Sequence, residues 1–282
     1  SSDLYMNEKV LLINDIPGYG KVALAAMMPI LAHMKYDVYN LPTAVVSNTL
    51  DYGKFDILET TEYMKKTLKV WDELGFSFDA ITTGFIVSQE QADIVTRFCR
   101  EQASRGVRIF VDPIMGDEGH LYNGVGEETV ERMRDLCRIA DYIMPNYTEA
   151  AYLAGLDCKD GDLDEGETRQ LIDALRAICS RSVLITSVRT DGTYVVLGYD
   201  HERNTYFQLP YNLIPVRFPG TGDAFSAILT GQILRGHALE TAALLSMESV
   251  RNLIAANMGV KDIYKGIPIE QCLNLVEEVQ TD

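Results

Sequence analysis

The sequence predicts an α/β protein: a three-layer αβα sandwich with a mostly parallel central sheet and helices on both faces. Three observations carry that prediction. Apolar runs of strand length alternate with helix-length segments along most of the chain. Capping residues mark helix starts between the runs. Polar and acidic residues gather just after the runs, where open parallel sheets bind ligands.

The strand candidates are Val10–Asn14, Asp37–Leu41, Ala80–Thr83, Arg108–Asp112, Tyr142–Met144 and Val183–Ser187. Ser88 and Gln91 form a capping box ahead of "ADIVTRFC", and Asn146 with Glu149 resembles another ahead of "AAYLAG". "GTYVVLGYD" and "NTYFQLP" read as a β-rich pair, an antiparallel edge on the same sheet. After Gly220 the pattern is helical over Ala224–Leu234, Ala238–Asn257 and Ile269–Val279. The acidic "DCKDGDLDEGE" reads as a solvated loop. No internal repeat is visible, so residues 6–282 are expected to form one domain. Met6 reads as a native start, with Ser1–Tyr5 a vector-derived remnant.

Composition narrows the function classes. With 282 residues, 47% of them hydrophobic and 23% charged, the chain can bury a sizeable core. Its net charge of −16 argues against nucleic acid or an anionic membrane as the main partner. A phosphate ligand would therefore need local neutralisation by backbone N–H groups, helix N-termini or metal ions. Five dispersed cysteines with no C-x-x-C pair give neither a disulfide framework nor a zinc site, which suits a reducing, cytoplasmic setting. No signal-peptide pattern is seen, and the apolar run Val22–Met34 is too short to span a bilayer.

Two glycine turns compete for the role of phosphate cradle. Gly18 to Ala23 spell G-x-G-x-x-A, the permissive dinucleotide fingerprint. That reading fails on context, because Asn14, Asp15, Ile16 and Pro17 intervene after the strand and the next strand ends in Asn40 rather than an acid. A P-loop fails too: Gly20-Lys21 is followed by Val22, and Gly53-Lys54 by Phe55. The second turn, Gly220-Thr221-Gly222, runs directly into an apolar helix with Asp223 in its first turn. Such a turn exposes N–H groups at the positive end of a helix. Alone, Asp223 would read as a capping carboxylate. Beside a phosphate cradle it can take a proton from a substrate hydroxyl. Asp112 and Asp117 in "VDPIMGD", with Asn146 and Glu149 in "NYTE", add hard oxygen donors that suit Mg²⁺ shared with ATP phosphates.

The stretches "LPTAVVSNTLDYG", "FDAITTGF", "VDPIMGD", "ADYIMPNYTEAAYLAG", "VLITS" and "GTGDAFSA", in that order, resemble the ribokinase-like (PfkB) superfamily, and most of all its vitamin B6 kinase branch. The resemblance spans most of Val10–Arg235. It implies ATP-dependent phosphorylation of the 5′-hydroxymethyl group of pyridoxal, pyridoxamine or pyridoxine. It further implies Asp223 as catalytic base and Gly220, Thr221 and Gly222 as the anion hole. Asp112, Asp117 and Glu149 would organise Mg²⁺. Asn146, Thr186 and Ser187, with Asp112, Thr221 and Gly222, would face ATP. Asn14, Asp15, Ser47, Asn48 and Asp223 would line the vitamin pocket, and Tyr122 would belong to a loop closing over it. A homodimer is implied as well. Departures are Asp15 in place of a serine, Leu50 in place of a threonine, and Met144 in place of a threonine at the family's monovalent-cation site. A hydroxymethylpyrimidine kinase, a sugar kinase and a non-catalytic B6 carrier are the alternatives on the same fold. The four histidines show no ligand spacing.

Overall fold

The structure, a computed structural model, describes residues 7–122 and 125–276. The predicted start at Met6, the segment Ser1–Tyr5 and residues 277–279 of the last predicted helix lie outside the described residues. In chain order the elements are β1 (Lys9–Tyr19), α1 (Ala23–His33), β2 (Asp37–Asn48), β3 (Ile57–Glu59), α2 (Thr61–Leu74), β4 (Ala80–Thr83), α3 (Gln89–Ser104) and β5 (Arg108–Val111). There follow β6 (Gly116–Asp117), β7 (His120–Leu121), α4 (Glu127–Cys137), β8 (Tyr142–Ile143), α5 (Tyr147–Ala154), α6 (Glu165–Ile178) and β9 (Ser182–Thr190). The chain closes with β10 (Thr193–Asp200), β11 (Thr205–Tyr211), α7 (Thr221–Leu234) and α8 (Leu239–Ala256).

Nine strands form one sheet in the order β11-β10-β9-β8-β5-β4-β1-β2-β3, and β6 and β7 make a separate two-stranded ribbon. The six strands from β9 to β2 are parallel. Antiparallel strands finish both edges: β3 beside β2, and the β10–β11 pair beside β9. The predicted αβα sandwich and its antiparallel edge are therefore present. One face of the sheet packs a core with helices α2 to α6, and the other packs one with α1, α7 and α8. Helix α7 lies against both α1 and α8, and every residue from Ala224 to Leu234 is buried. That position explains a helix with no polar face.

Several boundaries differ from the sequence reading. β1 runs on to Tyr19 and β2 to Asn48, because their pairing continues past the predicted ends. Pro42 sits inside β2 where the β1–β2 register shifts, a place that tolerates its missing N–H. The described part of the predicted helix Ile269–Val279 is instead two 3₁₀ turns, Ile269–Gln271 and Leu273–Val276. The acidic stretch is a loop from Asp157 to Asp164 and a helix only over its last three residues. Asp164 caps α6 and exchanges hydrogen bonds with Glu167, so the remaining acids open a helix. At α3, Ser88 accepts from the Gln91 N–H, but the buried Gln91 side chain bonds Val87, Thr43 and Thr61 rather than completing a box.

Leu12 is fully buried on β1, under α1 and α7. Leu12→Ala should cost about 2–5 kcal/mol, read as a lowered midpoint in denaturant unfolding.

Candidate active site

The parallel ladder extends beyond the strands at their carboxyl ends. Gly84 N–H donates to Ile13 (2.8 Å), Asp112 N–H to Thr83 (3.1 Å), Met144 N–H to Val111 (2.9 Å) and Thr186 N–H to Pro145 (3.0 Å). These bonds set Asn14–Asp15, Gly84, Asp112, Asn146 and Thr186–Ser187 along one edge. Two register shifts shape that edge. One lies between Asn14 and Ile16 against β2. The other falls opposite Val195–Leu197, at Thr186–Ser187, where Ser187 has φ +62°. Irregularities of this kind re-aim side chains at the rim of a sheet.

The start of α7 faces this edge. Gly220 is its N-cap residue, with φ +86° and no side chain to cap the helix. A Cβ there would lie 2.4 Å from the Lys21 carbonyl oxygen, so both backbone conformation and space demand glycine. The first-turn N–H groups of Thr221, Gly222 and Asp223 have no intrahelical acceptors, which leaves an anion cradle at the positive helix end. The Thr221 hydroxyl turns back to the Phe218 carbonyl (3.2 Å).

Asp223 reaches out of its own helix. Its Oδ2 accepts the Ala23 N–H at 2.8 Å, and its Oδ1 accepts from Asn14 Nδ2 at 3.3 Å. Ala23, the first residue of α1, has φ +46°, which turns its N–H toward the carboxylate. Burial raises the Asp223 pKa, and the two N–H donors oppose that rise. Asp15 is pushed up to about 7, first by burial and then by the charge of Asp223.

A second acidic group lies along the same edge. Asp112 accepts from Ser226 Oγ (2.8 Å); burial pushes its pKa up to about 7, Ser226 opposes and Asp223 adds to the rise. Glu149 is buried and its pKa is raised well above the usual value, by burial and then by Asp112. Its oxygens accept the Met115 N–H (3.0 Å) and the Asn146 N–H (2.9 Å), and the predicted Asn146–Glu149 capping box is complete. Asn146 Nδ2 donates to the Gly116 carbonyl (2.8 Å). Among the described residues no lysine or arginine forms an ion pair with Asp15, Asp112, Glu149 or Asp223.

Other sequence candidates sit differently. Asp117 is ion-paired with Arg217 (3.3 Å), and Ser47 and Asn48 spend their polar groups holding the loop from 47 to 56. Tyr122 follows β7, part exposed, with its hydroxyl proton held on by burial and by Asp117, Glu149 and Asp112. Among the described residues, no three His, Cys, Asp or Glu side chains gather closely enough to hold a metal by themselves. The Ala23 N–H and Ser226 were missed in the sequence. Ser226 could have been found from its spacing, one turn after Asp223 on α7.

A carboxylate beside an anion cradle, with two further carboxylates along the edge, one of them buried, can hold a polyphosphate and accept a hydroxyl proton. The nine-stranded sandwich with this edge defines a ribokinase-like kinase fold. The chain belongs to the phosphomethylpyrimidine kinase family, which matches residues 27–267. It is 34% identical to a Bacteroides thetaiotaomicron protein assigned to the phosphomethylpyrimidine kinases and crystallised with pyridoxal, covering 97% of each chain with a TM-score of 0.91. Pyridoxal kinase from Lactobacillus plantarum superposes with a TM-score of 0.87 at 26% identity, over 95% of this chain and 96% of that one. Arabidopsis thaliana pyridoxal kinase is 30% identical over 86% of this chain and 78% of its own.

The raised pKa of Asp15 has a measurable consequence. The folded protein keeps a proton that the unfolded chain releases, so this side chain costs stability as pH rises from about 4 to about 7. Asp15→Asn should therefore raise the melting temperature clearly at pH 8 and much less at pH 4.5, where most of the cost has yet to develop. An equal gain at both values would contradict the assignment.

Proposed function

We propose that this chain is an ATP-dependent pyridoxal kinase, transferring a phosphoryl group to the 5′-hydroxymethyl oxygen of a B6 vitamer. The observation that carries the proposal is Asp223, half-buried in the first turn of α7 beside first-turn N–H groups that the helix itself leaves without acceptors. A base and an anion cradle on one helix end suit phosphoryl transfer, which needs positioning and charge neutralisation more than covalent chemistry. The pyridoxal kinases among the relatives and the neighbour crystallised with pyridoxal support the vitamin as acceptor.

In this reading Asp223 takes the proton from the vitamin's hydroxyl as the oxygen attacks the γ-phosphorus. The N–H groups of Thr221 and Gly222, exposed by the left-handed Gly220, stabilise charge on the transferring group. Asn146, Thr186 and Ser187 line the nucleotide side, and Asp15, Ser47, Asn48 and Tyr122 the vitamin side. Asp112 and Glu149 fit a hard divalent cation in charge: each is raised in pKa by burial, Glu149 further by Asp112, and neither has a cationic partner among the described residues. The Glu149 oxygens already serve backbone N–H groups, so its share of Mg²⁺ would be taken through water. When bound, Mg²⁺ would neutralise charge on the ATP phosphates. Asp117 would join that group by releasing Arg217. Met144, at the edge between Val111 and Asn146, supplies no oxygen side chain for a monovalent cation. Residues 6–282 would act as one kinase unit in the cytoplasm. The exposed Leu58 on edge strand β3 suits the homodimer implied by the resemblance.

The family description favours one second reading, phosphorylation of a hydroxymethylpyrimidine by the same machinery. Asp223→Asn tests the machinery under both readings. It removes the base and keeps the cradle, so kcat should fall about 10²–10⁴-fold while the KM for ATP changes little. Turnover near the parent rate, followed by ADP release, would refute the base assignment.

A further inference from the structure

Asn14 stands at the carboxyl end of β1 with its side chain buried. An amide offers one acceptor oxygen and two N–H donors, and here all are engaged. Oδ1 accepts the Phe85 N–H (2.8 Å) and the Asp15 N–H (3.0 Å). Nδ2 points to Asp223 Oδ1 (3.3 Å) and to Met27 Sδ (3.5 Å). The two backbone donors fix which end of the amide is oxygen, so the nitrogen must face the Asp223 carboxylate. Nothing on Asn14 remains for a substrate.

The amide is also clamped from outside. A Cβ at Gly84 would lie 2.4 Å from Asn14 Cγ and Nδ2, and the Gly84 N–H is tied to Ile13 at 2.8 Å. Gly84 has no left-handed φ. Glycine is therefore present for space and not for backbone freedom, and the space is filled by the Asn14 amide. β1, β4 and α7 meet at that one group.

We infer that Asn14 is a positioning residue: its Nδ2–H, wedged against Gly84, aims the Asp223 carboxylate at the acceptor hydroxyl and does not touch the vitamin itself. The inference rests on the reading of Asp223 as the base. A base displaced by about 1 Å can lose about 10²-fold in rate, and that loss falls on kcat, since neither substrate touches the amide.

Asn14→Asp removes the donor. It keeps the shape and the oxygen used by Phe85 and Asp15, but sets a second carboxylate against Asp223, so Gly84→Ala, which adds no charge, serves as its control. Gly84→Ala is the second variant, allowed by the backbone, and displaces the amide without altering Asn14 or Asp223. With ATP and pyridoxal at pH 8, each should lower kcat by about tenfold or more and leave both KM values within about threefold. The double variant should be no slower than the slower single one, because both act through one contact. Asp223→Asn is assayed beside them. If it is inactive while Asn14→Asp and Gly84→Ala keep kcat within about threefold, the positioning role is wrong and the base assignment stands. If Asp223→Asn turns over normally, the base reading itself fails. Variants whose KM values rise in step with the fall in kcat, or whose effects multiply in the double variant, would mark Asn14 as a binding or packing residue and overturn the inference. Should Asn14→Asp not fold, Gly84→Ala alone decides by the same criteria.

Discussion

The Asp223 carboxylate is held from two directions by elements far apart in sequence: the first N–H of α1 at 2.8 Å and the Asn14 amide of β1 at 3.3 Å. Most of the carboxyl edge depends on that junction. Burying a carboxylate is costly unless donors replace its water, and these two donors are what the fold supplies. To present the Ala23 N–H, α1 must begin with a left-handed residue. To present the Asn14 amide, β4 must continue into a glycine. Where α7 starts, the Lys21 carbonyl fills the space that any side chain at residue 220 would need.

The same edge gathers Asp15, Asp112 and Glu149, each raised in pKa first by burial. With an overall charge of −16 and no ion-paired lysine or arginine on these groups among the described residues, the edge stores unfavourable electrostatics. Such a site is tuned for cations and for ligands that carry their own hydrogen-bond donors. A metal-bound triphosphate and a protonated vitamer both answer to that description, and perturbed carboxylates concentrated in one place are a mark of functional sites. The N-terminal end of α7 supplies the opposite polarity a few residues away, so one edge offers both a cation-seeking and an anion-seeking half.

Much of this was legible in the sequence, and the gaps have physical reasons. Alternation of short apolar runs with capped helices was enough for the sandwich, and "GTGD" followed by an apolar helix was enough for the cradle, because both are local patterns. The Asn146–Glu149 capping box was readable for the same reason. The lengths of β1 and β2 were not, since they depend on pairing across the sheet beyond Pro42. The terminal helix failed over its described part because apolar spacing at residues 269–276 serves 3₁₀ turns, the second packed on α8. Asn14 could be placed at the site from its position after a strand. Its orientation, toward Asp223 rather than toward the substrate space, depends on Phe85 and Gly84, which only the folded chain brings near.

If this edge transfers phosphate from ATP to a B6 vitamer, turnover will show it. The direct measurement is ADP release and product identity with ATP and, in separate reactions, pyridoxal, pyridoxamine, pyridoxine, hydroxymethylpyrimidine and ribose. Stoichiometric 5′-phosphate is expected from at least one B6 vitamer, with a kcat/KM above those for the pyrimidine and the sugar. No turnover with any B6 vitamer, or turnover confined to hydroxymethylpyrimidine, would contradict it.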